Sequence, residues 1–585
     1  MIKRFYATKD NTITNAFEEN LTTRGTGSNM GASDVLETFS IYSQASSGSL
    51  EKARILIEFD PDFTQVPSSG VSWYLKMFNA PHSQTVPRNF TLAVQAISSS
   101  WEEGYGIDMD YYEDKTRDGI GSNWINRTGD NIAEITKFTF SSDTAGDYSA
   151  GSAANYIKLY NKNSLVNVYF SASSGDASGS TGAWLEVELT GTSASDHATA
   201  FRNTIEASSN FSANVDGAIV YVTASTAGAA TAHASKVGTI SPLALEVTTS
   251  GSNATEWTSE GGDYLEANAS SATFTTGLED LEVDVTDIVN VWKADSSLNY
   301  GFGIMMSGSF EDGTAGRSFF TKKFFARESE FFYQRPVLEA RWDSARKDDR
   351  GSFYQSSSLA PAADNLNTLY LYNRIRGRLR DIPAVGTNDI EVSLYDSAGG
   401  SLLETTFTGS HVSTGIYSCD VYYSGSETSI VDVWHSGGVE YFTGSISVKS
   451  FDSVGYNPES AYVLSMPKLR KEYRKNQTHR LDLYVREKNW SPNIYTVAVQ
   501  SSIPSLTIPS ASYQVRRSID DYVVVSYGTG STSHTGLSHD VSGNYFDLDT
   551  TYLEAGYLYD VQYSFYDEEN GWEEQPYRFK FRVVD

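Results

Sequence analysis

The chain has 585 residues and carries 44 Lys plus Arg against 73 Asp plus Glu, a formal net charge of 44 − 73 = −29. A surface this acidic repels phosphate backbones, which sets nucleic acid aside as a direct partner. At 39 % hydrophobic and 20 % charged residues it is no charge-driven disordered chain, and its length corresponds to about four domains, β-rich by its 37 Tyr, 29 Phe and 10 Trp.

Residues 1–32 are polar and read as an N-terminal arm. The opening Met1 to Tyr6 leads into polar residues and not into an apolar h-region, so no signal peptide is expected. The string 24–31 (RGTGSNMG) lacks the Gly-Lys-Ser/Thr ending of a phosphate loop and reads as a plain loop. Short strands follow at 53–59, 71–78 and 90–97, then a Gly-rich turn at 101–108 that carries aromatics. Residues 131–250 differ in texture, being poor in aromatics and rich in Ala, Ser, Gly and Thr. Strands are expected there at 164–170, 183–189, 218–223 and 243–247. A helix is expected at 195–207, with Ser195 as N-cap and Ala198, Phe201 and Ile205 on one face. This block reads as a small α+β domain inserted at a loop tip, where closure entropy rises slowly with length. The strand pattern resumes at 251–345, with Asp284 or Thr286 capping a short helix that turns Val289 and Trp292 inward. Residues 346–365 read as a linker.

Alternating strands at regular spacing then predict two immunoglobulin-like sandwiches, 366–455 and 456–585. Tyr417 and Tyr559, each just after a glycine and before a long strand, are candidates for tyrosine corners. The one cysteine, Cys419, excludes an intrachain disulfide and reads as a small buried hydrophobe. No apolar run approaches the ~18 residues of a membrane span, so no membrane contact is expected and the protein is expected to be soluble, made in a reducing cytosol.

Five pieces recur in a recognisable order: 54–60 (RILIEFD), 101–106 (WEEGYG), 284–292 (DVTDIVNVW), 299–302 (NYGF) and 335–338 (RPVL). Together they resemble the DNRLRE family of β-sandwich domains over about 33–130 and 251–345. The resemblance implies a jelly-roll-like sandwich of a kind found in surface proteins and linked to carbohydrate binding. The 131–250 block departs from the family pattern. Its presence, with the Ser/Thr/Gly/Tyr-rich strands, is similar to structural proteins of tailed phages, particularly those of marine hosts. The whole therefore reads as mainly β: a multidomain string of β-sandwiches with a small inserted α+β domain.

Chemistry-bearing residues are few. No HExxH, HxH or Gly-x-Ser-x-Gly motif occurs, and no enzyme is expected. His534 and His539 read as solvated loop residues. The acidic run 108–118 offers Asp108, Asp110 and Asp114 at spacings suited to Ca²⁺, without EF-hand spacing. No other cofactor is expected. Trp101, Tyr105, Trp124 and Trp257 are candidates for a sugar-stacking surface, with a core role as the competing reading. Two basic strings, with Arg376 and Arg378 in one and Lys468, Arg470, Lys471 and Arg474 in the other, stand out against the acidic whole as assembly contacts. The expected function is that of a virion component of neck, tail or capsid surface, made in the host cytoplasm. It is expected to bind other virion proteins and to form a ring or trimer of copies. The competing reading is a host-attachment module that binds surface glycan.

Overall fold

The computed structural model describes residues 1–18, 20–43, 49–82, 86–107, 121–129, 131–148, 155–162, 164–171, 183–230, 232–450, 461–490, 494, 505–530, 532–568 and 570–585. Strand accounts for 47 % and helix for 9 %, so the protein is mainly β. It divides into two compact units: Phe5–Pro61 with Leu75–Leu338, and Met1–Arg4 with Asp62–Tyr74 and Glu339–Asp585.

The first unit is organised around Ser49–Phe59. This strand pairs antiparallel with Ile2–Thr14, Val35–Ser43 and Phe302–Met306. Phe302–Met306 continues onto Phe90–Ile97, which carries Tyr264–Phe274. Strands from before residue 98 thus interleave with strands from after residue 263. Phe90, Leu92, Val94 and Ala96 alternate into the core, as the period of two demands.

Ile2–Thr14 is a 13-residue strand and not the expected arm. Its polar composition hides it, because Asp10, Asn11, Thr12 and Thr14 are all buried. Partners distant in sequence make the burial of Asn11 and Thr14 tolerable. Asn11 Nδ2 donates to Ser122 O and Oγ at 2.9 Å, and Thr14 Oγ1 donates to Lys52 O at 2.8 Å.

Residues 135–249 form two four-stranded sheets and one helix around a shared core that includes Phe138, Phe140, Phe170, Phe201 and Ile205. The helix is Ala194–Glu206, and its N-cap is Ser193, not Ser195. Ser193 Oγ accepts from Asp196 N–H at 3.2 Å, while Ala198, Phe201 and Ile205 face inward. The second helix, Thr286–Ala294, starts where Asp284 Oδ1 accepts from Thr286 N–H, and it buries Ile288, Val289 and Trp292.

In the second unit, six strands run in the order Asn367–Tyr372, Ile416–Val421, Phe407–Ser413, Ile390–Tyr395, Ser429–Ser436, Val439–Ser447. Leu369, Val392, Tyr417, Cys419 and Trp434 share its core. Tyr417 reaches farther than a tyrosine corner: its hydroxyl donates to Gly386 O at 2.7 Å and accepts from Ile382 N–H at 3.1 Å, 31 and 35 residues upstream. Tyr559 does close a tyrosine corner, donating to Glu554 O five residues upstream at 2.7 Å. Burial pushes the Cys419 thiol up to about 12, so it is no nucleophile near neutrality.

The expected linker is part of this packing. Phe353 is fully buried and Arg350 pairs with buried Asp432. The last sandwich faces Thr478–Glu487 and Gly543–Asp549 in one sheet toward Leu558–Asp567 and Ala511–Arg517 in the other. Tyr513 stacks on Phe546 between them, at 4.0 Å.

Candidate functional site

The candidate sugar-stacking tryptophans form core, which is the competing reading. Trp101, Trp124 and Trp257 are 3 %, 3 % and 5 % exposed and pack with Ile13, Leu56 and Ile97. Trp101 Nε1 donates to Tyr300 O and Trp257 Nε1 to Asn123 O, and the Arg54 guanidinium lies 4.9 Å over Trp124. Their rings are covered because strands from both halves of the unit close over this turn. Only Tyr105, 72 % exposed, keeps an open face. The calcium candidates Asp108, Asp110 and Asp114 lie outside the described residues. Among the described residues no group of three or more His, Cys, Asp or Glu is placed to hold a metal ion, and no helix is long and apolar enough to cross a membrane.

His534 and His539 are buried and not solvated. His539 Nε2 lies 3.0 Å from Asp349 Oδ1, and its backbone N–H donates to Arg346 O, so the 343–351 segment covers the loop. Burial pushes His534 down to about 4, which keeps its imidazole neutral at neutral pH.

The basic candidates are at the surface. Arg470, Lys471 and Arg474 are exposed around Glu472–Arg474, the edge strand that pairs parallel with Phe579–Val584. Lys468 is tied to Asp482 at 2.5 Å. Charge on an edge strand also opposes unwanted strand addition. Arg376 and Arg378 belong to a hairpin in which Arg374–Ile375 pairs with Arg378–Leu379 across a two-residue turn.

Two depressions escape a sequence reading. One, of about 670 Å³, lies in the first unit and is lined by Arg54, Asp263, Tyr264 and Glu311 among others. Its lining cation is already engaged: Arg54 Nε and Nη2 both donate to Glu311 Oε1, Lys52 Nζ is 3.2 Å from the same oxygen, and Arg54 Nη1 donates to Gly261 O. The other, of about 760 Å³, opens on the last sandwich between Tyr462, Glu487, Leu506, Tyr566, Asp567, Trp572 and Glu573. Tyr566 and Trp572 are register partners across the hairpin of Leu558–Asp567 and Gly571–Glu574, with ring centroids 5.5 Å apart. They are 46 % and 40 % exposed. The signal available in sequence is the pair of aromatics that flank the turn before Gly571.

One buried carboxyl is out of its ordinary range. Asp10 is fully buried, accepts from Arg327 N–H at 2.6 Å, and leaves Oδ1 without a partner among the described residues. Burial, reinforced by nearby Glu103 and opposed by the Arg327 N–H, pushes it up to about 7. A carboxyl raised in the folded state stabilises most below the unfolded value of about 4, and that contribution is lost as pH rises toward 7. Asp10→Asn keeps the Arg327 acceptor. It is expected to gain on the order of 2–4 kcal/mol over the wild type at pH 8 and nothing at pH 4, read from thermal or urea unfolding at both pH values.

No family model and no curated protein matches the chain. Among solved structures it is similar to the Yersinia pseudotuberculosis adhesin InvE at 11 % identity, over 39 % of this chain and 56 % of that one, with a TM-score of 0.14. The chain thus spans little more than half of the adhesin's length. The Ig1-2 module of the Drosophila receptor protein tyrosine phosphatase DLAR aligns at 9 % identity over 38 % of this chain and 91 % of that one, TM-score 0.12. Trypsin-activated alpha-2-macroglobulin from Escherichia coli aligns at 9 % identity over 78 % and 29 %, TM-score 0.14. The β-sandwich architecture rests on the strand registers described above.

Proposed function

We propose that this chain is a non-enzymatic structural protein of a tailed-phage particle, with the DNRLRE-like sandwich that its sequence resembles. In this reading it is an accessory part of neck, tail or capsid surface that assembles through protein–protein contacts. The observation that carries the reading is the exposed basic edge around Arg470, Lys471 and Arg474 on a chain of net charge −29. Such a patch steers and orients docking on an acidic neighbour, while the remaining surface repels wrong partners. Burial of Trp101, Trp124 and Trp257 removes three of the four residues on which the glycan-attachment reading stood. Repeated copies in a closed ring or trimer suit such a part.

The test is incorporation. Particles banded on a density gradient are expected to carry the chain, detected by mass spectrometry of its peptides. Joint reversal of Lys468→Glu, Arg470→Glu and Lys471→Glu is expected to lower its amount per particle by about tenfold or more. Particles that lack the chain, or that carry the reversed variant at the wild-type level, would overturn the reading.

A further inference from the structure

The hairpin at Arg374–Ile375 and Arg378–Leu379 has Arg376 and Gly377 as its turn, with φ of 51° and 79°. A two-residue turn of this kind needs positive φ at both positions, which Asn and Gly adopt readily and Arg does not. A strained arginine therefore sits at the tip, with Arg374, Arg378 and Arg380 close behind it and Ile375 49 % exposed. Backbone strain held at an exposed tip points to a role for that side chain beyond folding.

The groove on the last sandwich has the opposite character. Glu487, Asp567 and Glu573 supply three carboxylates, Tyr566 and Trp572 supply open aromatic faces, and Leu506 and Pro509 supply apolar floor. Among the described residues no Lys, Arg or His lines it. A guanidinium suits such a site, because its plane stacks on an aromatic ring while its edge pairs with a carboxylate. Apolar Ile375 among the arginines matches the mixed apolar and acidic lining.

We infer that the arginine hairpin of one copy seats in the acidic aromatic groove of the next. This names a partner for the assembly proposed above and rests on that reading for its setting. Hairpin and groove are different patches, so the contact is head-to-tail and propagates into a closed ring or an open filament.

Sedimentation velocity on the full purified chain tests this. The wild type is expected to self-associate at about 50 mM salt and to weaken by tenfold or more at about 300 mM. Arg376→Glu with Arg378→Glu, and separately Glu487→Arg with Glu573→Arg, are each expected to be monomeric with an unchanged unfolding midpoint. Mixing the two variants is expected to restore association, since the acidic hairpin then meets a basic groove and the basic hairpin an acidic one. Should a reversal disturb folding, Trp572→Ala carries the test, with association weakened by about tenfold. A wild type that stays monomeric at about 100 µM, reversals without effect, or a mixture that fails to reassemble overturns the proposal. So does binding of a neutral oligosaccharide that Trp572→Ala abolishes while association persists. Self-association without incorporation into particles sinks the virion reading alone; incorporation of a monomeric chain sinks this one alone.

Discussion

Arg350→Ala is expected to destabilise the second unit by about 3–5 kcal/mol, measured by urea unfolding at neutral pH. Arg350 binds Asp432 through both oxygens, Nη1 to Oδ1 at 2.5 Å and Nη2 to Oδ2 at 2.6 Å. Asp432 is fully buried, and Trp434 Nε1 donates to the same Oδ2 at 2.8 Å. The guanidinium also lies 5.2 Å from the centre of the Phe442 ring. Removing the cation leaves a buried carboxylate with the indole N–H as its remaining donor. The cost is the desolvation of an unpaired charge, which exceeds what the ion pair itself contributes. The double variant Arg350→Met with Asp432→Asn is accordingly expected to lose clearly less than Arg350→Ala alone. A single-variant loss below about 1 kcal/mol would mean that Asp432 is not held as described.

Trp124→Ala is expected to cost a similar 3–5 kcal/mol, this time in the first unit, from lost burial plus the cavity left behind. The ring packs among Trp101, Trp257, Leu56 and Ile97 under the Arg54 guanidinium. Gly261 fits tightly against it: a Cβ there would fall 2.7 Å from Trp124 Cζ2, and the glycine holds φ +87°. Its amide also donates to Trp124 O. The site cannot collapse readily, because strands cover it on several sides. The outcome to check is a fall in the unfolding midpoint. Tyr105→Ala is the control: that ring is 72 % exposed, and its loss is expected to change stability by less than about 0.5 kcal/mol. Equal effects of the two variants would contradict the core role of Trp124.

Much of the fold is legible in local pattern. Alternation locates the strands around 90–97 and 218–223, and spacing after a glycine locates the tyrosine corner at Tyr559, because each depends on residues close in sequence. The strand Ile2–Thr14 is not legible in this way, because its buried residues are polar and only hydrogen-bond partners such as Ser122 make that burial tolerable. Ser193 and Ser195 are equivalent as helix caps until the first turn is placed. Of the candidate site, the basic residues are visible as charge runs. The groove is not, since Glu487 and Trp572 lie on strands of two different sheets and meet only when those sheets pack.

By itself the sequence determined the β-rich class, the acidic surface and the positions of most strands, since these follow from composition and from a period of two along the chain. Tertiary structure alone decided which aromatics are inside and which charges are paired. A tryptophan on a turn is exposed or buried according to what folds over it, and Arg350 finds Asp432 only across a separation of 82 residues. Burial and pairing depend on distances in space, and those are set by the sheet registers and not by neighbours in the chain.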